Sequence, residues 1–170
     1  MTIIELARRA IEHHLQAGRD LAVPSDLPPQ LEQPAAAFVS LHQPDGSLRG
    51  CIGTTEPTRP SLAAEVIANA VSAATADPRF EPLTAAELPQ LHLSVDVLAA
   101  PRAVTDRAQL NPKTDGLIVS ASRERRGVLL PDLDDVDTVD QQIAICRDKA
   151  DIGPDEPITL QTFTVQRFKE

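Results

Sequence analysis

The chain has 170 residues, the length of one domain or of one domain with a small additional lobe. Hydrophobic residues make up 42% and charged residues 24%, a globular composition that excludes a disordered or fibrous protein. Four Phe are the only aromatic residues and the net charge is −9, so nucleic acid is not an expected partner. Two distant cysteines and the lack of a long apolar run predict free thiols in a cytoplasmic protein without a membrane segment.

The first predicted element is an amphipathic helix. Apolar residues recur at steps of three and four over residues 3–15. Thr2 and Glu5 have the spacing of a capping box, which predicts the helix start. Gly18 is expected to end the helix.

A connector, a hairpin and a second helix are predicted next. Residues 22–35 are rich in Pro, which removes backbone donors, so we predict an extended connector within a single domain spanning residues 1–170. The segment 36–54 is typical of a β-hairpin that turns at Pro44-Asp45-Gly46. An Ala-rich helix is expected from Pro60 to about Ala76, and its small residues allow close packing on a sheet.

The remaining chain is predicted to be mainly strand. Polar and apolar residues alternate over 91–98, and a second hairpin is predicted between 116 and 130. A capped helix is expected from Thr138 to Gly153-Pro154, before a last strand at 158–168. Because helices and strands do not alternate regularly, the predicted class is α+β, with a mainly antiparallel sheet flanked by helices.

The segment Leu48–Thr54 carries the densest functional signal. In a regular strand, Arg49, Cys51 and Gly53 lie on one face. A guanidinium beside the sulfur favours the thiolate, which is the nucleophilic form, and Gly50 and Gly53 would leave backbone N–H groups open to a ligand. The alternative is that Cys51 is a small buried hydrophobe and that the glycines serve close packing.

A second candidate segment is Asp77–Leu83, which combines charge, an aromatic ring and two prolines. Arg79 is suited to bind a carboxylate or phosphate, and Phe80 to form the wall of a pocket. The alternative is a rigid corner in which Asp77 and Arg79 pair with each other or with the backbone.

Three further groups are weaker candidates. His92, Ser94 and Asp96 lie side by side on one strand, so they cannot hydrogen-bond in series, and we predict that they face solvent. The acidic run 132–140 either binds a hard cation or supplies favourable charge at a helix start. Cys146 is expected to serve packing, and no structural metal is predicted.

Several motifs together resemble one known family. The run Leu48–Thr54 reads LRGCIGT, a signature of the AMMECR domain family, and Asp77-Pro78-Arg79-Phe80 follows in the same order. The resemblance implies an α+β unit with two unequal lobes and a cleft near the RGC residues; the family's reaction is not established. It also implies association with a Memo-like protein of the extradiol-dioxygenase type and with a radical SAM enzyme, the AmmeMemoRadiSam system. Two distant cysteines cannot hold that enzyme's cluster, so no cofactor is expected in this chain.

Three hypotheses of function follow. The first is an enzyme or enzyme component in which Cys51 is a nucleophile activated by Arg49, acting on a small anionic or carbonyl substrate. Its substrate contacts would be Gly50, Gly53, Arg79 and Phe80. The second is a non-catalytic adapter for the Memo-like protein and the radical SAM enzyme. The third is a carrier of a small molecule without chemistry.

Overall fold

The computed structural model describes the whole chain, Met1–Glu170, as two compact units. The larger unit consists of Met1–Leu98 and Gln166–Glu170, and the smaller of Ala99–Val165. Strands pair antiparallel in both units, and helices pack on them. The predicted α+β class with an antiparallel sheet is therefore confirmed.

The larger unit is a sheet with helices on one face. Its elements are α1 Ile3–Ala17, α2 Pro29–Glu32, β1 Ala36–His42, β2 Leu48–Gly53, α3 Leu62–Thr75 and β3 His92–Leu98. Strand β1 lies between β2 and β3, and β2 is the outer strand. The core forms between α1, α3 and the sheet, because the inward residues of β1 and β3 and the apolar sides of both helices are buried there.

The ends of α1 are set by the predicted residues. Thr2 Oγ1 accepts the backbone N–H of Glu5, and the Glu5 carboxylate accepts the N–H of Thr2 at 2.7 Å. Gly18 adopts a left-handed conformation with φ of 66°, which a glycine reaches without steric cost. Both predicted boundaries are confirmed.

The predicted Pro-rich connector contains a short helix, α2, that the sequence analysis left out. Pro29 occupies its first position, where its missing N–H is not needed. Leu31 is buried and joins the core, so this turn anchors the connector. Extended structure was therefore the wrong expectation for these four residues.

One residue of strand β3 differs from the prediction in its exposure to solvent. Asp96 is buried, whereas the alternation predicted that it faces solvent. Its carboxylate accepts hydrogen bonds from Arg167 Nε at 2.7 Å and Nη2 at 3.0 Å. The prediction failed because the partner lies 71 residues away in sequence.

The smaller unit consists of antiparallel strands and one helix. Its elements are β4 Arg102–Ala103, β5 Asp115–Ser120, β6 Arg126–Leu129, α4 Val139–Lys149 and β7 Thr159–Lys169, of which the last residues of β7 belong to the larger unit. Strand β7 pairs with β4 and β5, and β5 pairs with β6. The predicted second hairpin and last strand are confirmed.

Helix α4 ends earlier than predicted. The capping box of Thr138 and Gln141 is present, but the helix stops at Lys149 instead of Gly153. The chain turns because Asp151 adopts the left-handed region, with φ of 52°, and the N–H of Ile152 bonds to the carbonyl of Arg147 at 2.9 Å. An aspartate therefore takes the position that the sequence analysis assigned to glycine.

Candidate functional site

The face of the larger sheet opposite α1 and α3 carries the polar candidate residues. On β1, Ala37, Val39 and Leu41 are buried toward the helices, so Ser40 points to the other face. Ser40 is the register partner of Cys51 on β2 and of Ser94 on β3. Three adjacent strands thus place one thiol and two hydroxyls in a row.

The Cys51 thiol contacts the hydroxyl of Ser40. The Ser40 Oγ donates to the Cys51 Sγ at 3.1 Å, and Cys51 is partly exposed. The N–H of Thr54 donates to the carbonyl of Ala37. In an antiparallel pair, every second residue of β2 hydrogen-bonds to β1, and the residues between them direct their N–H and C=O groups away from β1. Cys51 is one of these intervening residues, so its backbone groups point to the free edge of β2. Side chains lie closest in such a non-hydrogen-bonded pair, which explains the short sulfur contact.

The segment after α3 covers the outward backbone groups of Cys51. The Cys51 N–H donates to Asp77 Oδ2 at 2.9 Å, and Arg79 Nη2 donates to the Cys51 carbonyl at 3.3 Å. An acidic and a basic side chain therefore replace the neighbouring strand that β2 lacks at this residue. The DPRF motif and the RGC motif meet at Cys51.

Asp77 and Arg79 also form a two-point ion pair. Arg79 donates from Nε to Asp77 Oδ1 at 3.0 Å and from Nη2 to Oδ2 at 2.7 Å. The Asp77 side chain is 2% exposed and that of Arg79 is 56% exposed. The hydrogen bonds from Arg79 hold the pKa of Asp77 well below its usual range, although burial opposes this. The pair predicted as an alternative is present, and Arg79 Nη1 makes no hydrogen bond within the chain.

Arg49 is engaged by a different carboxylate. Its Nε and Nη2 donate to Glu87 Oε1 at 3.1 and 3.0 Å, and its Nη1 donates to the Glu81 carbonyl at 3.1 Å. The Phe80 ring lies between the two cations, 6.0 Å from the Arg49 guanidinium carbon and 5.5 Å from that of Arg79. Of the two arginines, only Arg79 hydrogen-bonds to Cys51, through the backbone carbonyl, and activation of the thiol by Arg49 stays a prediction.

The two glycines of the motif have different surroundings. A Cβ on Gly50 would lie 2.2 Å from the carbonyl oxygen of Ala73, so Gly50 allows α3 to approach β2. Because Gly50 is buried, a ligand cannot reach it, and the expectation of an open N–H there is wrong. Gly53 is partly exposed and has the Phe38 ring against its Cα. The strand alternation directs its N–H to the same outer edge as that of Cys51.

Glu65 fixes the loop that follows β2. It is 1% exposed on α3, and its carboxylate accepts bonds from the Thr54 hydroxyl, the Thr58 hydroxyl and N–H, and the Arg59 N–H at 2.7–2.9 Å. Burial raises its pKa, but these donors outweigh burial and leave the pKa lowered. Glu65 therefore stays ionised and ties the end of the RGC strand to α3.

Sequence reasoning missed Ser40, Glu65 and Glu87 as parts of this site. The pairing of Ser40 with Cys51 was available in principle, because the predicted turn brings these residues opposite each other. Glu65 belongs to no recognisable motif, because its partners lie in the loop 6 to 11 residues before it. Glu87 has a local signal in Thr84, three residues earlier, but its contact with Arg49 spans 38 residues and could not be predicted.

The other predicted candidates lie apart from this site. Cys146 is 0% exposed on α4, and burial raises the pKa of its thiol to about 11. Within the acidic run, Asp137 pairs with Lys113 at 2.9 Å and Asp140 lies in the first turn of α4. No group of three or more His, Cys, Asp or Glu has an arrangement suited to a metal, so the cation-binding alternative gains no support. No helix is long and apolar enough to cross a membrane.

Comparisons with known proteins agree with the motifs. A Thermotoga maritima protein is 45% identical over 168 residues, which cover 98% of this chain and 96% of that protein. A Clostridium acetobutylicum protein is 40% identical over 98% of this chain, but the match spans only 36% of that longer protein. The crystal structure of the uncharacterised protein PH0010 from Pyrococcus horikoshii superposes with a TM-score of 0.88 at 33% identity, covering 99% of this chain and 89% of that one.

The sequence profile of the AMMECR1 family matches residues 4–170, which include the Cys51 strand and the Asp77–Arg79 corner. Profile, relatives and fold therefore agree over nearly the full length. This chain belongs to the AMMECR1 family.

Proposed function

We propose that the chain is an enzyme or enzyme component that uses the Cys51 thiol on a small anionic carbonyl compound. The observation that carries the proposal is the surroundings of the sulfur: Ser40 donates to it at 3.1 Å, and Arg79 is anchored to the same residue's carbonyl. A hydroxyl that donates to the sulfur and an arginine anchored at the same residue are groups suited to stabilise negative charge that develops during attack by a cysteine. Arg49 remains a second candidate activator from the same strand face.

Arg79 supplies the selectivity for an anion. Two of its three nitrogens are used by Asp77 and Cys51, while Nη1 makes no bond within the chain and the side chain is 56% exposed. The Gly53 N–H faces the same edge of β2, where it can donate to the same ligand. A carboxylate on the substrate fits these two donors, and Phe80 forms the adjoining wall.

The chemical step requires no further reactant. The Cys51 sulfur adds to the carbonyl carbon and forms a C–S bond, while the C=O π electrons move to oxygen. That oxygen takes up the proton released by the thiol. The product is a tetrahedral hemithioacetal held beside Arg79.

Two alkylating reagents that differ in one charge test this proposal. Iodoacetate carries a carboxylate where iodoacetamide has a neutral amide, and Cys146→Ala removes the second thiol. We expect the ratio of iodoacetate to iodoacetamide rates at Cys51 to exceed that of free cysteine by about tenfold, a typical effect of one cation. Arg79→Ala should remove most of this preference. A ratio equal to that of free cysteine, or a preference unchanged in Arg79→Ala, would overturn the proposal.

A second candidate function is an adapter in the cytoplasm for a Memo-like protein and a radical SAM enzyme. The Clostridium acetobutylicum relative favours it, because the matching region is 36% of a longer chain and is covalently joined there to additional protein. Both cysteines are free, as the reducing cytoplasm requires.

Co-expression tests the adapter function directly. The chain would be co-expressed with the Memo-like protein and the radical SAM enzyme of one genome, and complexes measured by size-exclusion chromatography. An adapter should form a complex that survives Cys51→Ala. Failure of both partners to co-elute would reject this candidate.

A further inference from the structure

One carboxylate connects the backbone of the nucleophile with the cation beside it. Asp77 Oδ2 accepts from the Cys51 N–H and from Arg79 Nη2, and Oδ1 accepts from the Arg79 N–H and Nε. The four distances lie between 2.7 and 3.1 Å. Both oxygens are therefore fully used, and the side chain is 2% exposed.

This arrangement restricts where the Arg79 charge can be. A long arginine side chain that is 56% exposed would otherwise sample many rotamers. The planar guanidinium matches the carboxylate at two points, which fixes its plane as well as its position. Its contact with the Cys51 carbonyl at 3.3 Å then joins the fixed cation to the strand edge.

We propose that Asp77 is a positioning residue of the Cys51 site, acting through Arg79 to hold an anion-binding guanidinium beside the thiol. The inference rests on the proposed function, since it concerns how the anionic group of the substrate is oriented. Asp77 has no free oxygen and does not touch the substrate. If Asp77 acted only through its negative charge, it would repel an anion, and removing that charge would raise the preference for the anionic reagent. If Asp77 positions Arg79, removing the charge lowers that preference.

The test is a double-mutant cycle on the iodoacetate to iodoacetamide rate ratio, in a Cys146→Ala background. Asp77→Asn keeps the size of the side chain but removes the negative charge that pairs with the Arg79 guanidinium. We expect it to lower the ratio about threefold or more, toward the value of Arg79→Ala, because the cation is no longer held. In the Asp77→Asn background, Arg79→Ala should have little further effect. Because an unfolded chain would give the ratio of free cysteine, each ratio is measured under conditions in which circular dichroism shows that the variant is folded.

Two controls separate positioning from other causes. Glu170→Gln removes the two-point carboxylate partner of Arg8 and should leave the ratio within about twofold of the parent, because neither Arg8 nor Glu170 contacts Cys51, Asp77 or Arg79. Arg79→Lys retains the charge without the planar fork and should behave like Arg79→Ala. The Lys variant leaves the buried Asp77 in place, so it tests the same inference if Asp77→Asn does not fold.

The possible failures are distinct. A parent ratio equal to that of free cysteine overturns both the proposed function and this inference. With the parent preference intact, positioning is overturned if Asp77→Asn leaves the ratio unchanged or raises it, or if the effects of the two substitutions simply add. It is also overturned if Arg79→Lys matches the parent or if Glu170→Gln lowers the ratio as much as Asp77→Asn.

Discussion

The two cysteines occupy opposite kinds of environment. Cys51 lies on the outer strand of the larger sheet, partly exposed, with a hydroxyl donor at 3.1 Å and Arg79 on its backbone. Cys146 lies on α4 with 0% exposure, and its sulfur is 3.7 Å from the Leu117 carbonyl. Burial without a charged hydrogen-bond donor raises the pKa of Cys146 to about 11 and keeps it a thiol. The two environments therefore predict different reactivities for the two thiols.

The strands near Cys51 and Cys146 nevertheless pack against a helix in the same way. In each, a glycine in an outer strand allows the backbone of a helix to approach the sheet: Gly50 lies against Ala73 and Gly127 against Cys146. The buried cysteine belongs to the helix in one case, and the candidate nucleophile adjoins the glycine in the other. We therefore expect Gly50 and Gly127 to contribute to the free energy of unfolding. The polar contacts of Ser40 and Arg79 are expected to affect the reactivity of Cys51 alone.

The largest expected effect is a loss of stability on filling these glycines. In Gly127→Ala, the new Cβ would lie 1.9 Å from the Cys146 carbonyl oxygen, and in Gly50→Ala 2.2 Å from that of Ala73. Because backbone atoms must move in both variants, we expect each to lose about 3 kcal/mol, measured by urea unfolding. Gly153→Ala, where the nearest atom is the flexible Glu156 carboxylate at 3.3 Å, is the control and should lose much less. Equal stability of all three variants would show that the close contacts of Gly50 and Gly127 with the helix backbones do not contribute to stability.

A smaller loss of stability is expected from Asp77→Asn, about 2 kcal/mol at neutral pH, because a buried charge-assisted network is lost. The pKa of Asp77 is lowered in the folded protein, so its contribution is present above the ordinary value of 3.8 and declines as the pH falls below it. The stability difference between parent and Asp77→Asn should therefore narrow on acidification below about pH 4. Thermal unfolding against pH measures this, and a difference independent of pH would contradict it.

The smallest effect concerns the serine beside the thiol. Ser40→Ala removes the donor to the Cys51 sulfur, and we expect alkylation at pH 7 to slow by about threefold, since the hydrogen bond to the attacking sulfur is lost. Ser94→Ala, which changes the next hydroxyl on the same sheet face, is the matched control and should leave the rate nearly unchanged. If both variants react at the parent rate, the Ser40 contact has no role in reactivity.

Local signals in the sequence predicted much of the fold. The capping boxes at Thr2 and Thr138 fixed two helix starts because each depends on residues three positions apart. The two hairpins followed from strand patterns joined by turns. The end of α4 was missed because Asp151 took a conformation more typical of glycine.

The candidate site was predictable in its parts but not in its connections. The RGC and DPRF motifs were visible, yet nothing local shows that Asp77 accepts the Cys51 N–H, 26 residues away. The same limit applies to Asp96, whose predicted exposure was wrong because Arg167 arrives from the last strand. Long-range pairing of charged groups depends on the assembled sheet, and no periodicity in the sequence reports it.

We propose that folding makes the Cys51 thiol more reactive and the Cys146 thiol unreactive. The direct test is the iodoacetamide rate of each cysteine at pH 7, in Cys146→Ala and Cys51→Ala proteins, native and unfolded in denaturant. We predict that Cys51 reacts faster in the native protein than in the unfolded chain, because only folding brings the Ser40 hydroxyl to its sulfur and Arg79 to its backbone. Cys146 should react at least about 100-fold more slowly when native, since it is buried. A native Cys51 that reacts more slowly than the unfolded one would contradict the account and leave Cys51 a packing residue like Cys146.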